Sequence, residues 1–358
     1  MPLKNRCAPF ASALALSAIT LGAAAENARA ESVADFYKGK TVVIYSGLTP
    51  SGAYSAYARL LETHIGKHIP GKPNTILKNM QGGTGLVLAN WLYNAGPKDG
   101  LAFGTFHERM GLEPVVSNQG TRFDGSKFTW IGSMAKQTSV CFTWHTSKVQ
   151  TVADAKAMSI PVGSAAAAAS DSVMPRMMNE MLGTKFQIVR GYGGDLLVAV
   201  ERGEVEGRCG FGWASLKATR PDWYRDKKIN LLAQFSFKPH RELPNVPVMM
   251  DLVEKKEDKQ ALELIFATQE MGRPFAAPPG IPADRAAALR AAFDAALKDP
   301  ALIADAKKQN LELDPITGQE ITDLMVRLYG TPKTVAERVR SFRTGKAGER
   351  DVKKGKKK

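Results

Sequence analysis

The sequence predicts an α/β protein with two lobes, each built on a mostly parallel sheet that is flanked by helices. The first observation is that runs rich in β-branched and aromatic residues alternate along the chain with runs rich in alanine and leucine, the pattern of repeated strand–helix units. The second is size, because about 310 structured residues exceed what a single core usually serves. The third is that no long linker interrupts the pattern, so short crossovers must join the lobes.

The predicted elements follow one another along the chain. Strands are predicted at 41–46, 75–79, 102–106, 129–134, 140–145, 160–163, 187–190, 206–212 and 230–234. Helices are predicted at 52–65, 86–94, 151–158, 172–182, 195–202, 255–268, 283–298, 300–309 and 318–328. Start signals support several helices, since Thr151 and Asp154 have the spacing of a capping box and Pro300 stands at a first helical position after Asp299.

Two crossovers between the lobes are predicted from the order of the elements. They are placed near 135–143 and near 268–276, the second just before the turn-forming run Ala277-Pro278-Pro279-Gly280. The first lobe would then comprise residues 31–137 and 272–345, and the second lobe residues 138–271. A cleft between two such lobes, lined by strand-to-helix turns, is where sheets of this kind bind ligands.

Residues 1–30 have the features of a secretory leader. Lys4 and Arg6 form a positive start, residues 10–25 are apolar and small, and Ala28-Arg29-Ala30 fits the small-x-small cleavage pattern. An apolar run of roughly 16 residues is shorter than the ~20 that a membrane span needs, which disfavours an uncleaved anchor. We expect cleavage of this signal peptide after Ala30 and a mature protein in the periplasm.

The net charge of +14 is concentrated near the end of the chain. A lysine run such as 353–358 could bind nucleic acid or an anionic membrane surface. No aromatic residues interleave with it, as base stacking would require, and nucleic acid is the wrong partner for a secreted protein. We therefore expect residues 346–358 to form a basic disordered tail.

The sequence shows no motif that commits it to metal binding or catalysis. Cys141 and Cys209 lie in apolar, strand-like runs, so buried free thiols are favoured, although an oxidising compartment would permit a disulfide. His64 and His68 share a helix face but lack a third metal ligand. Because no nucleophile motif or catalytic carboxylate pair occurs, neither a cofactor nor an enzymatic activity is predicted. An enzyme acting on a small carboxylate is the less favoured alternative.

Three glycine-punctuated turns stand between a predicted strand and a predicted helix. They comprise residues 46–54, 79–85 and 190–195. Such turns direct unpaired backbone N–H groups, reinforced by the helix dipole, at one point in space, where an anion is favoured. They fit neither the phosphate-loop pattern nor the dinucleotide fingerprint. A single turn of this type more often has a purely structural role, but three such turns in one chain favour the binding of a small anion.

A set of motifs occurs in consistent order between residues 33 and 330. They are Tyr37-Lys38-Gly39-Lys40, Gly52-x-Tyr54-x-x-Tyr57-Ala58-Arg59, Asn79-x-Gln81-Gly82-Gly83-x-Gly85, Pro97-x-Asp99-Gly100, Trp130-Ile131-Gly132-Ser133, Gly191-Tyr192-Gly193-Gly194, Glu201-Arg202-Gly203-Glu204-Val205-Glu206-Gly207 and Ala277-Pro278-Pro279-Gly280-Ile281-Pro282. The set resembles the extracytoplasmic solute receptors of tripartite tricarboxylate transporters. The resemblance implies a two-lobed type II periplasmic binding protein fold that closes on a small carboxylate and delivers it to membrane permease subunits. We expect a monomer. A receptor for a signalling partner would have the same fold and cleft.

The resemblance also implies which loops contact the ligand. The predicted contacts in the first lobe are Thr49, Ser51, Gly52, Ala53, Tyr54, Gln81, Gly82, Gly83 and Thr84, and those in the second lobe are Ser164, Tyr192, Gly193 and Gly194. Two further candidates come from their positions alone, namely His107, which follows a predicted strand, and Asp171, which lies close after Ser164. Where the family commonly has an aspartate, this chain has Ser55, which weakens the case for an amino-acid ligand.

Overall fold

The strands of the protein form two separate sheets. The computed structural model describes residues 31–117, 120–192, 195–344 and 349–351. In these ranges the first sheet has the order β11-β4-β10-β3-β1-β2, with strands β1 (Thr41–Ser46), β2 (Asn74–Asn79), β3 (Ala102–Thr105), β4 (Thr129–Ser133), β10 (Pro274–Ala277) and β11 (Ile316–Thr317). The second has the order β12-β7-β6-β8-β5-β9, with strands β5 (Ser139–Trp144), β6 (Ser159–Ser164), β7 (Lys185–Arg190), β8 (Gly207–Gly212), β9 (Ile229–Phe235) and β12 (Arg350–Asp351).

Helices connect and flank these strands. They are α1 (Val33–Tyr37), α2 (Ala53–Ile65), α3 (Leu86–Asn94), α4 (Glu113–Val116), α5 (Val152–Ala157), α6 (Ser170–Leu182), α7 (Leu196–Glu201), α8 (Trp213–Thr219), α9 (Pro221–Arg225), α10 (Met249–Leu252), α11 (Lys256–Glu270), α12 (Ala283–Ala296), α13 (Pro300–Lys308), α14 (Gly318–Tyr329) and α15 (Lys333–Arg343). The predicted capping box at the start of α5 is present, and Asp299 caps α13 through the N–H of Ala301. Among the described residues, no helix is both long and apolar enough to cross a membrane.

Both sheets are mixed, and the parallel strands of each sheet are neighbours of one another. In the first, β1 runs parallel to β2 and β3, and β10 lies antiparallel between β3 and β4. In the second, β6 runs parallel to β7 and β8, whereas β5 is antiparallel to β8 and β9. The predicted fold class, two α/β lobes on mostly parallel sheets with two crossovers, is confirmed. In a parallel sheet the carboxyl ends of the strands meet at one edge, so the loops that follow them are brought together.

The chain passes between the sheets at two short segments. It leaves β4 at Ser133 and enters β5 at Ser139, and it later leaves α11 at Glu270 and enters β10 at Pro274. The two segments pair with each other, because the N–H of Arg273 donates to the carbonyl of Ala135 at 3.1 Å. The second segment lies inside the stretch where a crossover is expected, and the first begins one residue before the expected stretch. The assignment of residues 31–137 and 272–345 to one lobe and of 138–271 to the other stays a prediction.

The structure corrects the expectation of buried free thiols. Cys141 on β5 and Cys209 on β8 form a disulfide across adjacent antiparallel strands, 68 residues apart in sequence. Both are fully buried, as expected from their apolar runs. The sequence could not show that these two strands would be neighbours in register, and this pairing is what brings the sulfur atoms together.

The C-terminal helix α15, which was not predicted, packs against helices from both predicted lobes. It contacts α11 and α6 on one side and α4 on the other. Its buried face consists of Val335, Ala336, Val339 and Phe342. These residues join one apolar cluster that also contains Phe106 from the first predicted lobe and Met177 from the second. The residues placed at the end of the first lobe therefore connect both lobes.

The expected disordered tail at 346–358 is partly corrected. Residues 349–351 are described, and Arg350–Asp351 add a short parallel strand to β7. The Glu349 carboxylate forms an ion pair with Arg176, whose side chain is 2% exposed. A buried guanidinium requires a partner of opposite charge, which explains why this part of the chain is held. The other residues of the predicted tail, like those of the predicted leader at 1–30, lie outside the described residues.

Candidate functional site

The loops that follow β1, β2 and β3 meet at one edge of the first sheet. A methyl group placed on Gly47, after β1, would lie 2.8 Å from the Cα of Gly85, at the start of α3. A methyl group on Gly85 would lie 2.6 Å from the Cβ of Phe106, after β3. Because backbones approach this closely only where side chains are absent, the glycines permit the three loops to share one site.

The predicted ligand residues of these loops face outward from that edge. Helix α2 begins at Ala53 after Gly52, and no side chain caps its first N–H groups, which leaves them available to an acceptor. Next to it, Gly83 and Thr84 have positive φ angles of 53° and 59°. The exposed members of the predicted set in the first lobe are Thr49, Ser51, Ala53, Gln81, Gly83 and Thr84, while Gly52, Tyr54 and Gly82 are half-buried.

Tyr54 and His107, predicted from separate parts of the sequence, pack against each other. Their rings are 5.4 Å apart, and the Arg273 guanidinium lies 4.5 Å from the Tyr54 ring centre. The Glu108 N–H donates to the Tyr54 hydroxyl at 3.4 Å. Nη1 of Arg273 donates a hydrogen bond to the side-chain oxygen Oε1 of Gln137 at 3.0 Å, which fixes the guanidinium. The site therefore extends from the glycine loops to the crossover segments.

Two titratable groups in this region have strongly shifted pKa values. Burial, reinforced by the charges of Arg109 and Arg273, lowers the pKa of His107 to about 3. Burial also raises the pKa of Glu108 to about 7, although the charges of Arg273 and Arg109 act in the opposite direction. At neutral pH the His107 ring is therefore uncharged, and Glu108 is close to half-protonated.

The second sheet contributes a polar cluster at the end of β6. The Ser164 hydroxyl donates to Asp171 Oδ1 at 2.8 Å, and Arg208 Nη2 donates to Asp171 Oδ2 at 3.0 Å. Asp171 is 3% exposed. Both of its oxygens are hydrogen-bonded within the protein, so Asp171 is suited to ordering the loop after β6. Its predicted contact with the ligand stays a prediction.

The loop after β7 lies beside this cluster. The N–H groups of Gly191 and Tyr192 are 2.9 and 3.3 Å from the Ser164 carbonyl oxygen. The structure thus brings together two of the predicted second-lobe positions, Ser164 and Tyr192. Gly193 and Gly194 lie outside the described residues.

Ser55, at the position where an aspartate is common, does not face the loops. It is fully buried, and its hydroxyl is 2.7 Å from the hydroxyl of Ser46 at the end of β1. The pair links α2 to β1, a structural role. The absence of a carboxylate at this position leaves the donor groups of the α2 N-terminus without a negative neighbour.

A cavity of about 90 Å³ lies between the lobes, beside the crossovers. Its polar lining comes from both predicted lobes and from the first crossover. It consists of Glu108, Arg109, Glu113, Gln137, Ser139, Ser170, Thr268, Gln269 and Arg343. Among the described residues, no cluster of histidine, cysteine, aspartate and glutamate could hold a metal ion. The polar groups of the cavity lining can form hydrogen bonds and ion pairs.

The site contains residues that sequence reasoning missed. Glu108 and Arg109 follow His107 directly, so proximity in the chain was a usable signal for both. Arg208 lies within a predicted strand and Arg273 within a predicted crossover. No local pattern distinguishes these two arginines from surface cations, because their role depends on contacts between distant segments.

Solved structures similar to this chain are solute-binding proteins. A TctC solute-binding protein from Polaromonas shares 17% identity over 84% of this chain and 99% of its own, with a TM-score of 0.69. This chain has the fold of the periplasmic solute-binding proteins. Rpa4515 of R. palustris, solved with adipate, shares 15% identity over 87% of this chain and 99% of its own, with a TM-score of 0.57. MatC of Rhodopseudomonas palustris, solved with bound malate, shares 16% identity over 83% of this chain and 99% of its own, with a TM-score of 0.54.

The solute-binding fold agrees with the family that the motifs resemble. A TctC protein and the Bug protein BugD, which covers 88% of this chain with a TM-score of 0.54, are receptors of that family. Because fewer than a fifth of the residues are identical in each of these comparisons, the similarity establishes the fold alone. No protein-family profile and no curated protein sequence matches this chain.

Proposed function

We propose that the protein is a periplasmic solute-binding protein that captures a small carboxylate between its two lobes and delivers it to a tripartite tricarboxylate-type permease. The fold supports this proposal, and so do the similar proteins solved with adipate and with malate. A signal peptide cleaved after Ala30 and a monomeric state are parts of the same proposal. The solved relatives are binding proteins and not enzymes, which favours capture over turnover.

The observation that carries the proposal is the convergence of the loops after β1, β2 and β3 at an uncapped helix start. Gly47 lies close to Gly85, and Gly85 lies close to Phe106. Helix α2 begins beside these residues without a side-chain cap. Backbone N–H groups at such a point favour an anion. Charge-assisted hydrogen bonds of this kind contribute roughly 1.5–3 kcal/mol each, so a few of them suffice for specific binding.

In this proposal, the ligand stabilises a closed arrangement by touching both lobes. The residues assigned to the ligand are Thr49, Ser51, Gly52, Ala53, Tyr54, Gln81, Gly82, Gly83, Thr84 and His107 on one side, and Ser164, Asp171, Tyr192, Gly193 and Gly194 on the other. The paired crossovers act as the hinge, because Arg273 bonds to Ala135 and the Gln137 N–H bonds to the Gln269 carbonyl at 2.8 Å. A ligand shifts the population toward the form in which it makes more contacts.

A thermal-shift screen of residues 31–358 tests the function. The panel contains adipate, malate, other small mono- and dicarboxylates, amino acids and sugars. A ligand that binds only the folded state adds about 2.7 kcal/mol of stability at a hundredfold excess over its dissociation constant. We expect a rise in Tm with one class of carboxylate; a response confined to sugars, or to none of the acids, would contradict the proposal.

Paired substitutions at Gly83 locate the site. Gly83→Asp and Gly83→Asn have the same shape, and both residues tolerate the positive φ of 53°. Because the aspartate would place a negative charge beside the ligand, we expect it to weaken carboxylate binding at least tenfold more than the asparagine does, measured by calorimetry. Equal affinities for the two variants would remove this loop from the site.

A further inference from the structure

Two residues that line the interlobe cavity have buried polar atoms whose charged forms lack a hydrogen-bond partner in the protein. These atoms are Oε2 of Glu108 and Nε of Arg109, and both residues line the cavity. Glu108 is 6% exposed. A buried carboxylate oxygen without a donor is costly, so its retention here calls for an explanation. The cavity is several times larger than the roughly 10–15 Å³ that one water molecule needs.

The surroundings of Glu108 favour its neutral form, in which it carries one proton. Its Oε2 lies 3.1 Å from Nδ1 of His107, and that nitrogen already accepts from the Arg109 N–H at 3.3 Å. Two acceptors at this separation repel each other unless one carries a proton. Because the nitrogen acts as an acceptor, the proton belongs on Glu108, which then donates to His107.

The other charged groups around the cavity are accounted for. Glu113 is paired with Arg343, whose Nη1 lies 3.1 Å from the carboxylate. Arg273, from the crossover, and Arg109 both act on Glu108 and favour its ionised form, but burial has the larger effect and raises the pKa to about 7. The hydroxyl of Tyr54, from α2, accepts a hydrogen bond from the Glu108 backbone N–H. No described carboxylate other than Glu108 and Glu113 lines the cavity.

We propose that this cavity is an anion subsite in which Arg109 supplies the positive charge and Glu108 accepts a proton from solvent when a ligand carboxylate enters. This rests on the function proposed above and adds a proton linkage to it. Two ionised carboxylates in a small buried space repel strongly, so an acid ligand selects the receptor form with neutral Glu108. The receptor therefore captures carboxylates more tightly as the pH falls.

The test is calorimetry with the carboxylate that gives the largest thermal shift, at pH 6, 7 and 8. Each titration is repeated in two buffers with different ionisation enthalpies, which measures the protons taken up. For the wild type we expect the Kd to rise about tenfold from pH 6 to pH 8, with nearly one proton taken up per ligand at pH 8. A Kd independent of pH, with no proton uptake, would overturn the inference.

Two variants identify the group responsible. Glu108→Gln keeps the shape and the donor of the neutral acid, so its Kd should stay within about twofold across this range and match the wild type at pH 6. Glu113→Gln is the control from the same cavity and should keep the wild-type slope. If Glu108→Gln retains the tenfold slope, Glu108 is not the group. If Glu108→Gln fails to fold, the proton uptake measured for the wild type still decides whether carboxylate binding is linked to a proton.

Failure of the proposed function gives a different result. If no carboxylate in the panel binds at pH 6, where Glu108 is protonated, the protein is not a carboxylate receptor and the inference fails with it. If carboxylates bind without proton uptake at pH 8, the receptor function stands and the subsite alone is wrong. The variant Arg109→Met tests the role of the positive charge independently of the proton on Glu108. It should weaken carboxylate binding at least tenfold at every pH.

Discussion

At the residue scale, folding strongly changes the acid–base chemistry of Glu108. Its pKa rises from 4.5 to about 7 through burial, so the folded protein holds the proton more tightly than the unfolded chain does. The sign of the effect follows: the contribution of Glu108 to stability is fully present below pH 4.5 and is lost as the pH rises through 7. Ligand binding and folding thus share one titrating group.

We expect Glu108→Gln to remove this pH dependence of stability. The loss in the wild type amounts to about 1.4 kcal/mol for each unit by which the pKa is raised. Urea unfolding at pH 5 and pH 8 measures it, and the variant should lose less stability than the wild type between the two. If wild type and variant show the same difference, Glu108 titrates normally in the folded protein.

Gly85 is the residue at which the convergence of the loops can be tested without a ligand. It has a φ of +97°, and a methyl group there would lie 2.6 Å from the Cβ of Phe106. Gly39 also has a positive φ, +72°, but has nothing within 4 Å. Gly39→Ala should cost about 1 kcal/mol from backbone strain alone, and Gly85→Ala should cost at least twice as much. Comparable losses in Tm would show that the loops are not closely packed.

The residues of the site were predictable where they belong to local patterns. Tyr54 and His107 were predicted separately, and the structure places their rings 5.4 Å apart. Arg208 and Arg273 were not predicted, because an arginine in a strand or a crossover has no local feature that distinguishes it. Asp171 was predicted as a ligand residue, and its hydrogen bonds to Ser164 and Arg208 could not be predicted, because Arg208 is distant from it in the sequence.

At the element scale, the long periodic segments were predictable and the short or nonlocal ones were not. Helix α2 and strand β1 match their predicted positions to within a residue. Strand β10 has four residues and owes its place to antiparallel pairing with β3 and β4. Helix α15 did carry a signal, since its buried residues at 335, 336, 339 and 342 have helical spacing. Its basic residues were counted with the charge of the C-terminal region.

The disulfide between β5 and β8 is a test of the second sheet. A cross-link that closes a loop of 68 residues is expected to stabilise the fold by about 4 kcal/mol in the chain-entropy treatment. We expect reductant to lower the free energy of unfolding by roughly 2–4 kcal/mol, measured in urea. The Cys141→Ala, Cys209→Ala double variant is the control, since reductant should not affect it. An unchanged wild-type curve under reductant would mean that the bond is absent or inaccessible.

At the scale of the whole molecule, α15 links the two predicted lobes on the side of the interlobe cavity. Arg343 lies 3.1 Å from Glu113 in the first lobe, and Arg338 pairs with Asp258 on α11. The Phe342 carbonyl accepts from Arg176 of α6 at 2.7 Å. Because Val339 and Arg343 also line the cavity, α15 connects the stability of the lobe interface to the proposed subsite.

The apolar face of α15 should therefore make the two lobes unfold together. Phe342 is fully buried in the cluster that spans both lobes, and Phe342→Ala should cost about 3–5 kcal/mol. Tryptophan fluorescence and far-UV circular dichroism should show one coincident urea transition for the wild type and an earlier, separated transition for the variant. Val326→Ala, at a position that is 62% exposed, is the control and should leave the curve unchanged. If Phe342→Ala lowers stability by less than 1 kcal/mol and the two probes still coincide, α15 does not couple the lobes, and their cooperation must come from the crossovers alone.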